Sequence, residues 1–305
     1  MKKMFLAVIA YMMTISASAQ FYIYCSDGNV IKVDSISMIA PGEPEHPDPS
    51  AGIGTFSVSS NKQVTFSKGN LQYTQSTNTW SFAENQWDYI GTDNVTGSSV
   101  EFDATFGYLK NGDTLADKVD LFGWSTSTTN FGVCTSTSSS DYSGSFVDWG
   151  TNKIGNDAPN TWRTLTYDEW LYVVASRPNA RSLRGIAQVN GVNGLILLPD
   201  NWTCPSGVSF KPGFHSNSFV NDYAAYQTFT AAEWSQLEAA GAVFLPAFGY
   251  RVGSNMDDVR NYGSYWSATE YSSDNALCLA FVSSTVYMRD YDRHLGHSVR
   301  LVKDL

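Results

Sequence analysis

The chain has 305 residues, with 19 lysines and arginines against 29 aspartates and glutamates, a net charge of −10. Aromatic residues make up 14% and charged residues only 16%, a balance that excludes wholesale disorder, because disordered chains lack aromatics. The acidic excess argues against nucleic acid as a partner, since phosphate neutralisation needs a basic patch.

Residues 1–20 read MKKMFLAVIAYMMTISASAQ. Lys2 and Lys3 precede an apolar core over residues 4–15, and Ala17-Ser18-Ala19 supplies small residues before Gln20. This is the pattern of a secretory signal peptide over residues 1–19, and the apolar run is too short for a confident span. Without Lys2 and Lys3 the basic count is 17 against 29 acidic residues, a net of −12. The expected location is secreted, cell-surface or periplasmic. Export permits disulfides among Cys25, Cys134, Cys204 and Cys278 in three possible pairings, with free buried thiols the equal alternative.

After the leader, FYIYC and VIKV flank Ser26-Asp27-Gly28-Asn29, which predicts a β-hairpin over residues 20–40. Residues 41–54, PGEPEHPDPSAGIG, carry four prolines with acidic spacers and read as an extended linker. The main domain is expected over residues 55–305. Its first strands are signalled by period-two alternation at Phe56 and Val58, Val64 and Phe66, and Leu71 and Tyr73. Residues 125–145 are rich in Ser, Thr, Gly and Asn and predict a long, solvated, mobile surface loop.

Two helices are predicted from capping boxes, Thr166-Tyr167-Asp168-Glu169 and Thr230-Ala231-Ala232-Glu233. Pro178 and Gly241 supply their stops. Trp170, Val173 and Val174 would bury one helix face and Trp234 and Leu237 the other. Between them, residues 195–198 form an apolar run suited to a buried strand.

WRTLTYDEWLYVV (162–174), GLILLPDNW (194–202), GAVFLPAFGYR (241–251), GSYWSATEY (263–271) and GHSVRLV (296–302), in that order, resemble the Fibrobacter succinogenes major paralogous domain family. The resemblance covers roughly residues 56–302. It implies an α+β domain of C-type lectin-like fold, with short twisted antiparallel strands, two short helices, long loops and terminal strands that meet. The related formylglycine-generating enzymes use a pair of cysteines near the C-terminal end. Here only Cys278 follows Cys204, so that chemistry is not carried over. The sugar-binding tripeptides of calcium-dependent lectins are also missing. Asp200, in Leu198-Pro199-Asp200-Asn201, offers a weak calcium candidate, with a turn the preferred reading; no cofactor is called for otherwise. His294 and His297 lack a third metal ligand, no acid pair recommends glycoside hydrolysis, and the chain is expected not to be an enzyme.

The candidate binding residues lie in two segments. RVGSNMDDVR (251–260) reads as a polar loop and supplies Asn255, Asp257 and Asp258. YMRDYDRHLGH (287–297) supplies Tyr287, Arg289, Asp290, Tyr291, Asp292 and His294, expected to face outward together with Arg293. Tyr and Arg give large contact area and adaptable hydrogen bonds. The same residue set fits a retroelement-diversified variable protein, another bearer of this fold. Arg300 is expected to point away from the core or to meet a buried carboxylate, and Trp266 and Cys278 to pack inside. The expected partner is a protein or glycan ligand, the alternative role a structural module of a surface assembly.

Overall fold

A computed structural model describes residues 21–24, 30–33, 52–96, 101–103, 108–110, 114–216 and 222–305. The leader, the Asp27-Gly28 turn, Cys25 and residues 41–51 of the expected linker lie outside the described residues. The chain divides into two compact units, Met1–His46 and Pro47–Leu305. In the first, Phe21–Tyr24 pairs antiparallel with Val30–Val33.

The second unit is mixed α+β, built of small, mostly antiparallel sheets with a few short helices. Its two ends meet. Leu301–Asp304 lies between Arg163–Thr164 and Gln63–Phe66, and Ile53–Ser57 completes that four-stranded sheet. The alternating Phe56, Val64 and Phe66 are fully buried, as their spacing predicts, and pack with Trp170, Tyr265, Leu279 and Phe281. A charged seam crosses the junction: Arg163 donates to Glu169 at 2.7 and 2.9 Å and to Asp304 at 2.7 Å, while Lys62 lies 3.3 Å from Glu169 and 3.4 Å from Asp304.

Both capping boxes form. Thr166 starts the helix Tyr167–Leu171, accepting from the Glu169 amide, and Thr230 does the same for Glu233 at the head of Ala231–Ala239. The first helix continues as a π-helical turn, Tyr172–Ser176, and ends before Pro178. A third, single-turn helix, Tyr223–Tyr226, was not signalled by the sequence; Asp222 caps it through the Ala225 amide. Gly241 follows the long helix at φ +92°, and a Cβ there would come within 3.0 Å of Gly54 Cα, so the stop is also a close backbone crossing. Thr166→Ala should cost about 1 kcal/mol, the usual worth of an N-cap. Urea unfolding of the two proteins checks this.

Of the predicted strand at 195–198, residues 195–197 fall in the buried end of the strand Val192–Leu197, paired with Arg184–Val189 and Val243–Pro246, and Leu198 follows it, also buried. Its far side packs Ile196 and Leu198 against Trp234 and Leu237 of the long helix. Another core gathers Trp80, Phe122, Trp124, Trp149, Trp162 and Trp266. Each of these indoles but Trp80 has a hydrogen bond given by geometry, as at Trp266 Nε1 to Phe122 O, 2.7 Å, which offsets the burial of a polar atom.

Four arginines are buried, and they correct three sequence expectations. Arg293, expected outside, is 1% exposed: Nη1 donates to Tyr142 O and Gly144 O at 3.2 and 3.1 Å, and Nη2 donates to Ser272 O. Its guanidinium lies 4.4 Å over Trp124, with Glu270 2.7 Å away. Arg251 is not in a polar loop but on the strand Tyr250–Val252, and it donates to Cys134 O at 3.0 Å and Leu121 O at 3.3 Å. Arg300 neither points outward nor meets a carboxylate. Its partners are neutral oxygens, Lys68 O at 3.0 Å and Gln86 Oε1 at 2.7 Å, and burial pushes it down to about 10. The forked guanidinium suits several carbonyls at once.

These contacts also correct the picture of residues 125–145 as a free, solvated loop. Arg251 and Arg293 grip its carbonyls, Ser125 and Tyr142 are buried, and Gly123 N–H donates to Gly132 O at 2.9 Å. Many of its Ser and Thr side chains remain exposed.

Candidate ligand-binding face

The C-terminal sheet orders its strands Gly263–Glu270, Asn275–Val282 and Thr285–Asp292. Register sets what stands beside what: Ala280 faces Tyr287, Cys278 faces Arg289, and Ala276 faces Tyr291. On the other side, Trp266 faces Cys278 and Ser264 faces Ala280. The central strand therefore offers only small side chains on this surface. The larger Tyr287, Arg289, Tyr291 and Trp266 fill the space above them, an arrangement that period-two alternation enforces.

Two residues beyond the predicted set complete the cluster. Tyr262 and Tyr291 join through their hydroxyls at 2.6 Å, and Tyr250 packs edge-on against Tyr262 with ring centroids 6.1 Å apart. The Tyr250 hydroxyl donates to Asp257 Oδ2 at 2.6 Å. The Arg289 guanidinium lies 5.0 Å over the Tyr291 ring, a cation–π contact. Thus Asp257, Tyr250, Tyr262, Tyr291 and Arg289 form one continuous run, which joins the two segments singled out in the sequence. Burial raises the phenols of Tyr250, Tyr262 and Tyr291 above the ordinary tyrosine range, so all three are protonated at neutral pH; Tyr250 donates to Asp257, and of Tyr262 and Tyr291 one donates to the other.

Beneath the run sits His297, fully buried, 4.5 Å from Trp266, 5.1 Å from Tyr291 and 6.1 Å from Tyr250 by ring centroids. Its Nδ1 contacts Ser264 Oγ, and its Nε2 has no hydrogen-bond partner among the described residues. Burial, with a contribution from His294, pushes its pKa down to about 3, so the ring is neutral. Cys278 is likewise fully buried, and burial raises its thiol far above the usual range. A thiol so placed is a packing element of the face.

The remaining candidates divide. Asp258 follows Asp257 at φ 52°, donates its backbone amide to Asp257 Oδ1 at 2.8 Å, and has its carboxyl raised by burial and by Asp257. Asn255 is half-buried on the same short strand, Asn255–Asp257. Asp290 and Asp292 share the opposite face of their strand from Tyr291, and Asp290 accepts from Asn275 Nδ2 at 2.9 Å. They do not join the tyrosine face, because neighbours along a strand point to opposite sides. His294 sits apart from both, with Nδ1 3.3 Å from Ser139 Oγ in the serine-rich segment.

Asp200 has its carboxylate engaged by protein donors. Oδ1 accepts from Arg177 at 2.9 Å, and Oδ2 accepts from the Ser57 amide and hydroxyl at 2.7 Å each and from Gln63 at 3.3 Å. Although its partial burial opposes ionisation, these hydrogen bonds and the Arg177 charge hold it below the usual carboxylate range. This set explains the residue as a tie between the strand end and the first helix. Among the described residues no three His, Cys, Asp or Glu side chains converge as a metal site, and Cys134, Cys204 and Cys278 are free thiols. Among them too, no helix is long and apolar enough to cross a membrane.

Tyr250 and Tyr262 were missed in the sequence. Each ends or begins a motif, FGYR and NYGSYW, and an aromatic beside Gly is all the signal there is. The model of the family described as Domain of unknown function (DUF8237) matches residues 220–302, which span this whole face. No curated protein and no solved structure matches the chain.

Proposed function

We propose that the chain is an exported or cell-surface, non-enzymatic ligand-binding protein of adhesin type. It would carry one domain of C-type lectin-like fold akin to the Fibrobacter succinogenes major paralogous domains. The observation that carries the binding role is the continuous run Asp257–Tyr250–Tyr262–Tyr291–Arg289, aromatic, hydrogen-bonded and set on a packed sheet. Of this run Tyr250 and Tyr291 are partly exposed and Arg289 is exposed, offering ring area at low entropic cost and guanidinium donors, while buried Tyr262 braces them from below. The rigidity of the face comes from the small residues of the central strand and from buried Trp266 packed beside the rings, which favours affinity through pre-organisation. The fold assignment draws support from the meeting of the terminal strands, the two capped helices and the small antiparallel sheets. Residues 287–292 and 255–258 also match the composition of diversified variable proteins. A reverse transcriptase gene beside a template copy of this coding region would establish that origin.

Glycan and protein arrays probed with the whole chain test the binding role. Tyr287→Ala, Arg289→Ala and Tyr291→Ala should each weaken the captured ligand by tenfold or more, the usual effect of losing an aromatic or arginine anchor, roughly 1.4 kcal/mol and above. Undiminished binding by all three variants would sink the face. The rival role, a structural module of a surface assembly, draws on the separate compact unit Met1–His46. Deleting residues 20–40 should then abolish assembly and leave ligand capture intact.

A further inference from the structure

The two outer edges of the C-terminal sheet differ. Along Gly263–Glu270, the Trp266 amide donates to Ser298 O at 3.0 Å and the Ala268 amide to Leu165 O at 2.8 Å, so other segments cover that side. Thr285–Asp292 is the opposite edge, and among the described residues no strand pairs with its outer side. Its 8 residues hold unbroken register with Asn275–Val282. The segment TVYMRDYD contains no proline and no bulge to blunt a free edge; its three charges, Arg289, Asp290 and Asp292, discourage pairing with a copy of itself or a like-charged strand and leave the edge open to one of complementary charge. It is rich instead in strand-forming Thr, Val and Tyr. The backbone groups on the outer side of this eight-residue strand, without a strand partner among the described residues, are a template for another strand.

We infer that this edge takes up an extended peptide as a fourth strand, in which basic residues alternate with apolar ones. The inference rests on the ligand-binding reading above and specifies its partner. Backbone hydrogen bonds would supply register-independent affinity, and the alternating faces would select the sequence. Asp290 and Asp292 lie on one face of the strand, so peptide side chains beside them on that face are favoured when cationic. Tyr287 and Tyr291, partly exposed on the other face, favour apolar neighbours, and Arg289 between them, laid over the Tyr291 ring, disfavours a second cation on that side. The chain's net charge of −10 assists the approach of a basic peptide.

The test is titration calorimetry of the full chain with an acetylated peptide of alternating lysine and valine, and with the same peptide methylated at every backbone amide. The unmethylated peptide should bind, methylation should weaken it by about tenfold or more, since each lost hydrogen bond is worth on the order of 1 kcal/mol, and binding should weaken as salt rises. Asp290→Asn with Asp292→Asn should weaken it several-fold and flatten the salt dependence, while thermal unfolding of that variant confirms that the domain is intact. Equal binding of both peptides overturns strand addition. If neither peptide binds but an array ligand is lost on Tyr291→Ala, strand addition falls and the binding face stands; if no ligand of any kind depends on the face, both fall.

Discussion

Arg293→Ala should lower the unfolding free energy by about 3 kcal/mol, a large loss for one side chain in the turn after the strand Thr285–Asp292. Four carbonyl oxygens, those of Tyr142, Gly144, Ser272 and, more loosely at 3.5 Å, Asn275, lose their donor at once, and the Tyr142 carbonyl lies at a buried residue. An orphaned buried acceptor costs about 1–3 kcal/mol. The contact with Trp124 adds roughly 0.5–2 kcal/mol. The ion pair with Glu270 adds little, because that carboxylate is half-exposed. Arg293→Lys should recover only a small part, since one ammonium does not reproduce the fork that spans several carbonyls. The loss should also be local before it is global. Residues 125–145 contain no Lys or Arg, so thermolysin, which cuts before apolar residues, is the suitable probe. Faster cleavage near Phe131 and Val133 in the variant is the expected result. An unchanged urea midpoint together with unchanged cleavage would show that Arg293 does not hold this segment.

The second large effect is acid destabilisation through His297. Its pKa is about 3 in the fold against 6.5 when exposed. Between those values the unfolded chain binds a proton that the folded chain refuses, so stability falls as pH drops from 6.5 towards 3. Integrated over that window the loss is about 4–5 kcal/mol. Asp120 acts in the opposite sense. It is fully buried, accepts from the Ile90 amide at 2.8 Å and Asn94 Nδ2 at 2.6 Å, and burial raises it from 3.8 to about 6. The folded chain binds this proton first, so stability rises by about 3 kcal/mol as pH falls from 6 to 3.8. The two groups nearly cancel down to about pH 4, and the histidine loss shows below it. Asp120→Asn should therefore uncover the full acid limb, and His297→Asn should remove it and leave a protein that strengthens on mild acidification. Urea unfolding at pH 7, 5 and 4 measures both, with the remaining carboxylates common to all three proteins. Parallel pH profiles for wild type and His297→Asn would contradict a buried neutral imidazole.

These two effects share an origin: the polar groups that stabilise the C-terminal half are buried, and their partners are scattered. The binding face shares it too. Tyr250, Tyr262 and Tyr291 come from three different strands or turns, and their contacts are set by sheet register. A change that shifted the Asn275–Val282 register by one residue would turn Tyr287 and Tyr291 to the other side. Substituting Ala276 or Ala280 by a large residue would displace the rings opposite them, Tyr291 and Tyr287, with those tyrosines themselves unchanged.

Sequence alone determined the features whose physics is local. Period two placed Phe56, Val64 and Phe66 in the core, because strand side chains alternate whatever the strand packs against. Thr166 with Glu169 and Thr230 with Glu233 announced two helix starts, because a capping box closes within four residues. The apolar run at 195–198 read correctly as a buried strand. Tertiary structure alone decided the fate of the arginines, since Arg251, Arg293 and Arg300 bond to carbonyl oxygens and neutral amides, acceptors that leave no mark on a sequence. It also decided the composition of the face. Asp290 and Asp292 separate from Tyr291 once the strand is fixed, and Tyr250, Tyr262 and buried His297 join it from segments far away in the chain. A charged or aromatic residue carries no sign of which side it will face until register and partners are set.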